Sequence, residues 1–133
     1  MGGVRLLLDT HIAIWAVVDD PRLSKQARSL LLDPAAQLNV SLVSVWEIAI
    51  KFALQRGSDP MPISAAAALG HFQSSGFTIV PVSTPHVLTL ESVPRHHDDP
   101  FDRLLVATAL TEPYRLVTSD SRLGAYGSMV TVV

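Results

Sequence analysis

The run Leu6-Leu7-Leu8 is apolar at every position and ends directly on an acid, Asp9. Successive side chains of a strand point to opposite faces, so a strand without alternation buries both of them. Such strands belong to parallel sheets covered by helices on each side. The pattern predicts a first strand over Val4–Leu8 and a helix over Thr10–Val18. Ser24 caps a helix running to about Leu32, with Lys25 and Arg28 on its wet side. Gln37–Ser41 reads as a short strand, and Ser44–Gln55 as a helix ended by Gly57. A helix over Ser64–Ser74 opens on four consecutive alanines, which suggests close helix packing. Phe77–Val82 reads as a strand, and Thr84–Glu91 as a helix with Pro85 in its first turn. Asp99–Leu110 is a helix with Pro100 just inside its start. Leu116–Thr118 and Met129–Val132 are the last strands, parted by a helical turn near Ser121–Leu123.

Strands and helices that alternate in this way, joined by right-handed crossovers, give a three-layer α/β/α sandwich with a mainly parallel central sheet. With 133 residues and neither repeat nor linker, the expectation is a single domain over residues 1–133. Hydrophobic residues make up 48% of the chain and charged ones 17%, so part of the apolar surface is expected to meet a partner. No apolar run has the length of a membrane span, and Asp9 arrives too early for a signal peptide. The absence of cysteine excludes disulfides and thiolate metal sites, and it fits a reducing cytoplasm. A net charge of −2 speaks against a broad nucleic-acid-binding surface, but it is compatible with a site that grips a few nucleotides.

In open parallel sheets, ligands bind beyond the carboxyl ends of the strands. Two acids stand there by sequence alone: Asp9 after Leu8, and Asp120 after Leu116-Val117-Thr118-Ser119. Each has a purely structural explanation, as a helix cap for Asp9 and a turn residue for Asp120. Ser44-Val45-Trp46-Glu47 has the form of a capping box, so Glu47 is either a cap partner or a carboxylate facing the crevice. In Asp99-Pro100-Phe101-Asp102, Asp99 is a natural N-cap and Asp102 suits the positive end of the helix. Taken together, Asp9, Glu47, Asp102 and Asp120 fall on one expected edge of the sheet. Four converging carboxylates repel one another unless a cation neutralises them, and a hard divalent ion such as Mg²⁺ or Mn²⁺ suits an all-oxygen set. Such a site can activate water toward a phosphodiester.

The remaining candidates are weaker. His96-His97-Asp98-Asp99 reads as a solvated loop rather than a dedicated metal tract, with one histidine available to substrate. His11 stands beside the site and is either a contact to RNA or a packed helix residue. His71 and His86 have no evident partners. Trp15 and Trp46 read as core or interface residues. Lys51 suits an ion pair with Glu47 one turn away, and Arg103 is the better candidate for a phosphate contact. No nucleophile elbow, phosphate-binding loop or dinucleotide fingerprint is present in the sequence.

Four segments together resemble the PIN-domain ribonuclease toxins of the VapC type. They are Leu6-Leu7-Leu8-Asp9-Thr10-His11, Ser41 to Lys51 around Glu47, His96 to Leu105 around Asp99-Pro100-Phe101-Asp102-Arg103, and Leu116 to Asp120. The resemblance implies a PIN fold, magnesium-dependent endoribonuclease activity (Mn²⁺ as a substitute), and inhibition by a cognate antitoxin protein in a type II toxin–antitoxin module. It also implies a homodimer or a larger toxin–antitoxin assembly in the cytoplasm, acting on RNA. Carried over residue by residue, it gives Asp9, Glu47, Asp102 and Asp120 as catalytic metal ligands. Thr10, Asp99, Arg103, Thr118 and Ser119 then line the site or touch substrate. One departure is Asp98, where the family commonly has a basic or neutral residue. Two other readings compete. A magnesium phosphohydrolase or phosphoacceptor domain would use Asp9 as nucleophile but gives Glu47 and Asp102 no role. An inactive PIN-like binding module would act through its partners alone.

Overall fold

The computed structural model describes residues 3–55 and 57–133. Five parallel strands form one sheet: β1 (Arg5–Leu8), β2 (Gln37–Ser41), β3 (Thr78–Val80), β4 (Arg115–Thr118) and β5 (Val130–Val132), in the order β3-β2-β1-β4-β5. The helices are α1 (Thr10–Val18), α2 (Lys25–Leu32), α3 (Leu42–Leu54), α4 (Ala65–Ser74), α5 (Thr84–Thr89) and α6 (Pro100–Thr111). Short 3₁₀ turns cover Leu90–Ser92 and Ser121–Tyr126.

The all-apolar strand β1 lies at the centre, and its alternate side chains feed two separate cores. Leu6 and Leu8 pack on one face with Ile12 and Ile14 of α1, Ala27 of α2, Phe72 of α4 and Val117 of β4. Leu7 packs on the other with Leu116 of β4 and Leu105, Val106 and Ala109 of α6. Helix α3 serves both layers, with Ile48 in the first and Val43 in the second. The expected α/β/α sandwich is therefore present, and the sheet is entirely parallel.

Several boundaries differ from expectation, each for a local reason. Helix α3 begins two residues early, because Ser41 both ends β2 and caps α3 by accepting from the Val43 amide at 3.0 Å. Ser44 and Glu47 thus lie inside the helix, and the capping box is not formed. The same helix ends at Gln55 in the left-handed conformation (φ 46°), not at Gly57. Strand β3 covers only Thr78–Val80 of the expected six residues. Of the four alanines Ala68 is buried and Ala65 packs against the same core, where α4 lies close against α3 and α1 as the run suggests, while Ala66 and Ala67 face outward. Arg28 is half-buried instead of wet, tied to Asp19 and to the Leu23 and Asp20 carbonyls. His86 does have partners: its Nδ1 accepts from the Ser83 amide, and its Nε2 meets Glu112.

The chain leaves β1 toward β2 and β3 on one side, then crosses to β4 and β5 on the other. Between β1 and β4 the direction of winding reverses, which opens a crevice at their carboxyl ends. Asp9 follows β1 there and Asp120 follows β4.

Candidate metal centre

Asp9 occupies the N-cap position of α1, yet its side chain makes no capping hydrogen bond. Its Oδ2 accepts instead from Thr118 Oγ1 at the end of β4, across the switch point. The residue is buried, and desolvation is the main cause that raises its pKa; Thr118 acts against that shift and the Glu47 charge adds to it. Thr118 also accepts from the Asp120 amide at 3.0 Å, so a single hydroxyl links the two strand-end acids.

Glu47 comes from the interior of α3 and is buried. Thr10 Oγ1 lies 2.7 Å from its Oε1 and 2.8 Å from Ser44 Oγ. A hydroxyl has one proton to give, so Thr10 donates to the carboxylate and receives from Ser44. Lys51 pairs with the other carboxylate oxygen, as its spacing predicts. Both oxygens of Glu47 are thus aimed by neighbours.

Asp99 is a cap: it accepts from the Phe101 and Asp102 amides at 2.8 and 3.1 Å. Asp102 is different. Burial is the first cause that pushes its carboxyl up to about 8, and the like charges of Asp9, Asp99, Glu47 and Asp120 are the others. Those like charges come from all four segments, but among the described residues the ligand atoms that lie within 4.8 Å of one another belong to His97, Asp102 and Asp120.

Asp120 is satisfied on both oxygens. It caps the following turn through the Arg122 amide, and Arg122 grips it with Nε at 3.1 Å and Nη2 at 2.9 Å. That guanidinium is the leading cause holding the Asp120 carboxyl down at about 2.

His97 is not a solvated loop residue. It is buried, with Nε2 2.9 Å from Asp120 Oδ2 and 3.4 Å from Asp102 Oδ2. These three side chains can bring ligand atoms within 4.8 Å of one another. The proton count decides their roles, however. His97 Nδ1 accepts from the Asp99 amide at 3.0 Å, so the ring proton sits on Nε2, directed at the carboxylates. A nitrogen carrying a proton cannot ligate a metal, so in this tautomer His97 is a donor between two acids. Sequence reasoning missed this residue, and it also missed Arg122 and Ser44. The one available signal was position: His97 precedes the Asp99 cap by two residues, near enough to fold back over the start of α6.

The Arg103 guanidinium donates through Nη2 to the Val93 carbonyl at 2.9 Å, and among the described residues its other N–H groups are left for a contact. Ser119 and Asp98 are exposed, and Asp98 faces only Arg95, at 3.9 Å. Trp46 is not core: 56% exposed, it meets Phe101 edge-on.

An all-parallel α/β/α sandwich with acids at the carboxyl ends of its central strands is the architecture of a metal-dependent nuclease fold. The sequence model of the PIN domain matches residues 6–128, and the chain belongs to the PIN-domain family. It is similar to Ribonuclease VapC22 of Mycobacterium tuberculosis (strain ATCC 25618 / H37Rv), with 33% identity over 123 residues and 91% of each chain covered. Among solved structures it resembles VapBC2 from Rickettsia felis bound to a DNA fragment from their promoter, with TM-score 0.69, 15% identity and 98% of both chains covered. It also resembles a toxin-antitoxin complex from Klebsiella pneumoniae, with TM-score 0.63, 20% identity and 96% of both chains covered. FitAcB from Neisseria gonorrhoeae follows, with TM-score 0.61, 18% identity and 94% and 95% of the two chains covered.

Proposed function

We propose that this chain, as one PIN domain over residues 1–133, is a magnesium-dependent endoribonuclease and the toxin of a type II toxin–antitoxin module. The observation that carries this reading is the cluster at the carboxyl edge of a PIN-domain sheet, where Asp102, Asp120 and His97 bring ligand atoms within 4.8 Å of one another and burial with neighbouring acids raises the Asp102 carboxyl. A pocket built to repel its own ionised side chains is explained by a cation that it binds. Carboxylate oxygens fit Mg²⁺, with Mn²⁺ as a substitute. Asp9, Glu47, Asp102 and Asp120 are the ligands in this proposal. The bound ion supplies an activated water and offsets negative charge developing at the phosphodiester.

The protein's share is to aim those oxygens. Thr118 orients Asp9, Thr10 and Lys51 orient Glu47, and Arg122 with His97 orients Asp120. Asp99 fixes the first turn of α6 and so places Asp102. A phosphoacceptor mechanism is less well supported, because Asp9 is only 5% exposed and already engaged by Thr118. All four acids are present and most are engaged by neighbouring side chains, which favours a working enzyme over an inactive binding module.

A cognate antitoxin is the expected partner, in a homodimer or a larger assembly, and the cytoplasm the expected location. In support, α3 presents Leu42, Trp46, Ile50 and Leu54 at every fourth position, between 36% and 56% exposed. No helix of the described residues is long and apolar enough to cross a membrane. The test is cleavage of total RNA with sequencing of the new ends, in Mg²⁺, in Mn²⁺ and in excess EDTA. Cleavage is expected only with metal, and an undiminished rate in EDTA would end the metal-hydrolase reading.

A further inference from the structure

Beside the acidic crevice, α1, the end of α3 and the segment 59–62 enclose a cavity of about 310 Å³. One wall carries two aromatic rings, tilted 41° to each other. His11 and Trp15 stand one turn apart on α1 with ring centroids 5.7 Å apart, and the Arg22 guanidinium lies 5.1 Å over the indole. Arg22 is not free to swing, because Asp20 holds it through two nitrogens and Asp59 through a third at 2.6 Å. Met61 and Pro60 add apolar surface.

The charges around this cavity are already matched. Arg22 pairs with Asp20 and Asp59, and Lys51 pairs with Glu47. A phosphate would have to break one of these pairs to be held, whereas an uncharged flat group breaks none. Two lining residues also tie the cavity to the acids. Lys51 lines it while bonding Glu47, and His11 lies two residues beyond Asp9. Single-stranded RNA is commonly read by stacking unpaired bases on aromatic rings and guanidinium planes.

We propose that this cavity is a nucleobase subsite, holding one unpaired base of the RNA strand at a fixed distance from the bond cleaved. The proposal rests on the ribonuclease reading. It gives Trp15 and His11, which carry no role in the metal site, the task of choosing where the strand is cut.

An abasic scan tests it. A short RNA with one cleavage site is prepared with a single base removed at each position in turn, and kcat and KM are measured with Mg²⁺. The wild type should show KM raised about tenfold at one position only, with kcat within about twofold. Trp15→Leu, which keeps apolar volume without a stacking face, should cleave the intact RNA with that same raised KM and lose nothing further on the abasic strand. Trp15→Phe should restore most of the discrimination. His11→Ala, at an exposed position, gives the same comparison should Trp15→Leu fail to fold. Cleavage that is indifferent to base removal at every position overturns the subsite while the ribonuclease reading stands. Absence of cleavage of any RNA removes both. A Trp15→Leu protein that cleaves as the wild type does, yet escapes inhibition by its antitoxin, would assign the cavity to a protein side chain and also overturn the proposal.

Discussion

Two aspartates three residues apart on one helix start, Asp99 and Asp102, have opposite relations to stability. Asp99 accepts two amide hydrogen bonds, so Asp99→Ala should cost about 0.5–2 kcal/mol in EDTA and in millimolar Mg²⁺ alike. Asp102 caps no amide; its neighbours are like charges and, at 3.4 Å, the His97 ring that it shares with Asp120. Asp102→Asn should therefore leave the metal-free melting temperature unchanged or higher, and abolish the increase that Mg²⁺ gives the wild type. Four melts for each variant pair decide it, and a destabilisation of Asp102→Asn equal in both buffers would mean a structural role only. The sign of the pH dependence follows from the same residue. A carboxyl raised in the folded state to about 8 holds its proton longer than it does in the unfolded chain. Its contribution is fully present below the unfolded value of about 4 and is lost as pH rises through about 8. Metal-free protein should thus lose stability over that window, and Asp102→Asn should flatten the loss. Asp120, held at about 2, acts in the other direction: its contribution is present above about 4 and lost as pH falls through about 2.

At the scale of elements, the sequence was informative where one local rule decided the outcome. Ser24 and Ser64 cap their helices through Ala27 and Ala67, and Asp99 caps α6, all as side-chain chemistry alone requires. It was ambiguous where two rules competed. Ser41 and Ser44 are equally good caps, and Leu42-Val43 between them suits a strand or a helix; Ser41 wins because β2 runs into α3 without a loop. Asp9 and Asp120 were legible because each directly follows an apolar strand. His97 was not, because its role depends on a fold-back that brings residues 97, 102 and 120 together, and no periodicity records that. Ser41→Ala should cost about 1 kcal/mol, whereas Ser44→Ala should leave the cap intact and act through Thr10 and Glu47. Thermal melts, compared with the Mg²⁺ concentration needed for half-maximal cleavage, separate the two effects. A larger stability loss for Ser44→Ala than for Ser41→Ala would contradict the assignment.

At the scale of the whole molecule, β1 is the shared wall of two cores, so its residues are not redundant. Leu7→Ala hollows the layer under α6, and Leu8→Ala the layer under α1 and α4. Each should cost about 2–5 kcal/mol by chemical denaturation. The two layers lie on opposite faces but share β1 and α3, so the double variant measures how far the adjacent sites couple through that backbone. A strong departure from additivity would show that the layers communicate through the strand.

The strand order has a consequence for the time at which the protein becomes active. Synthesis proceeds from the N-terminus, and domains acquire structure as their segments emerge. Asp9 and Glu47 appear early, but Asp102 comes late, and β4 with Thr118 and Asp120 later still, 109 residues after the aspartate that Thr118 orients. Until β4 inserts beside β1, the sheet has no switch point and the acids have no crevice. A partly made chain therefore holds Asp9 and Glu47 without Asp102 and Asp120, and the carboxyl edge of its sheet is incomplete until β4 pairs with β1.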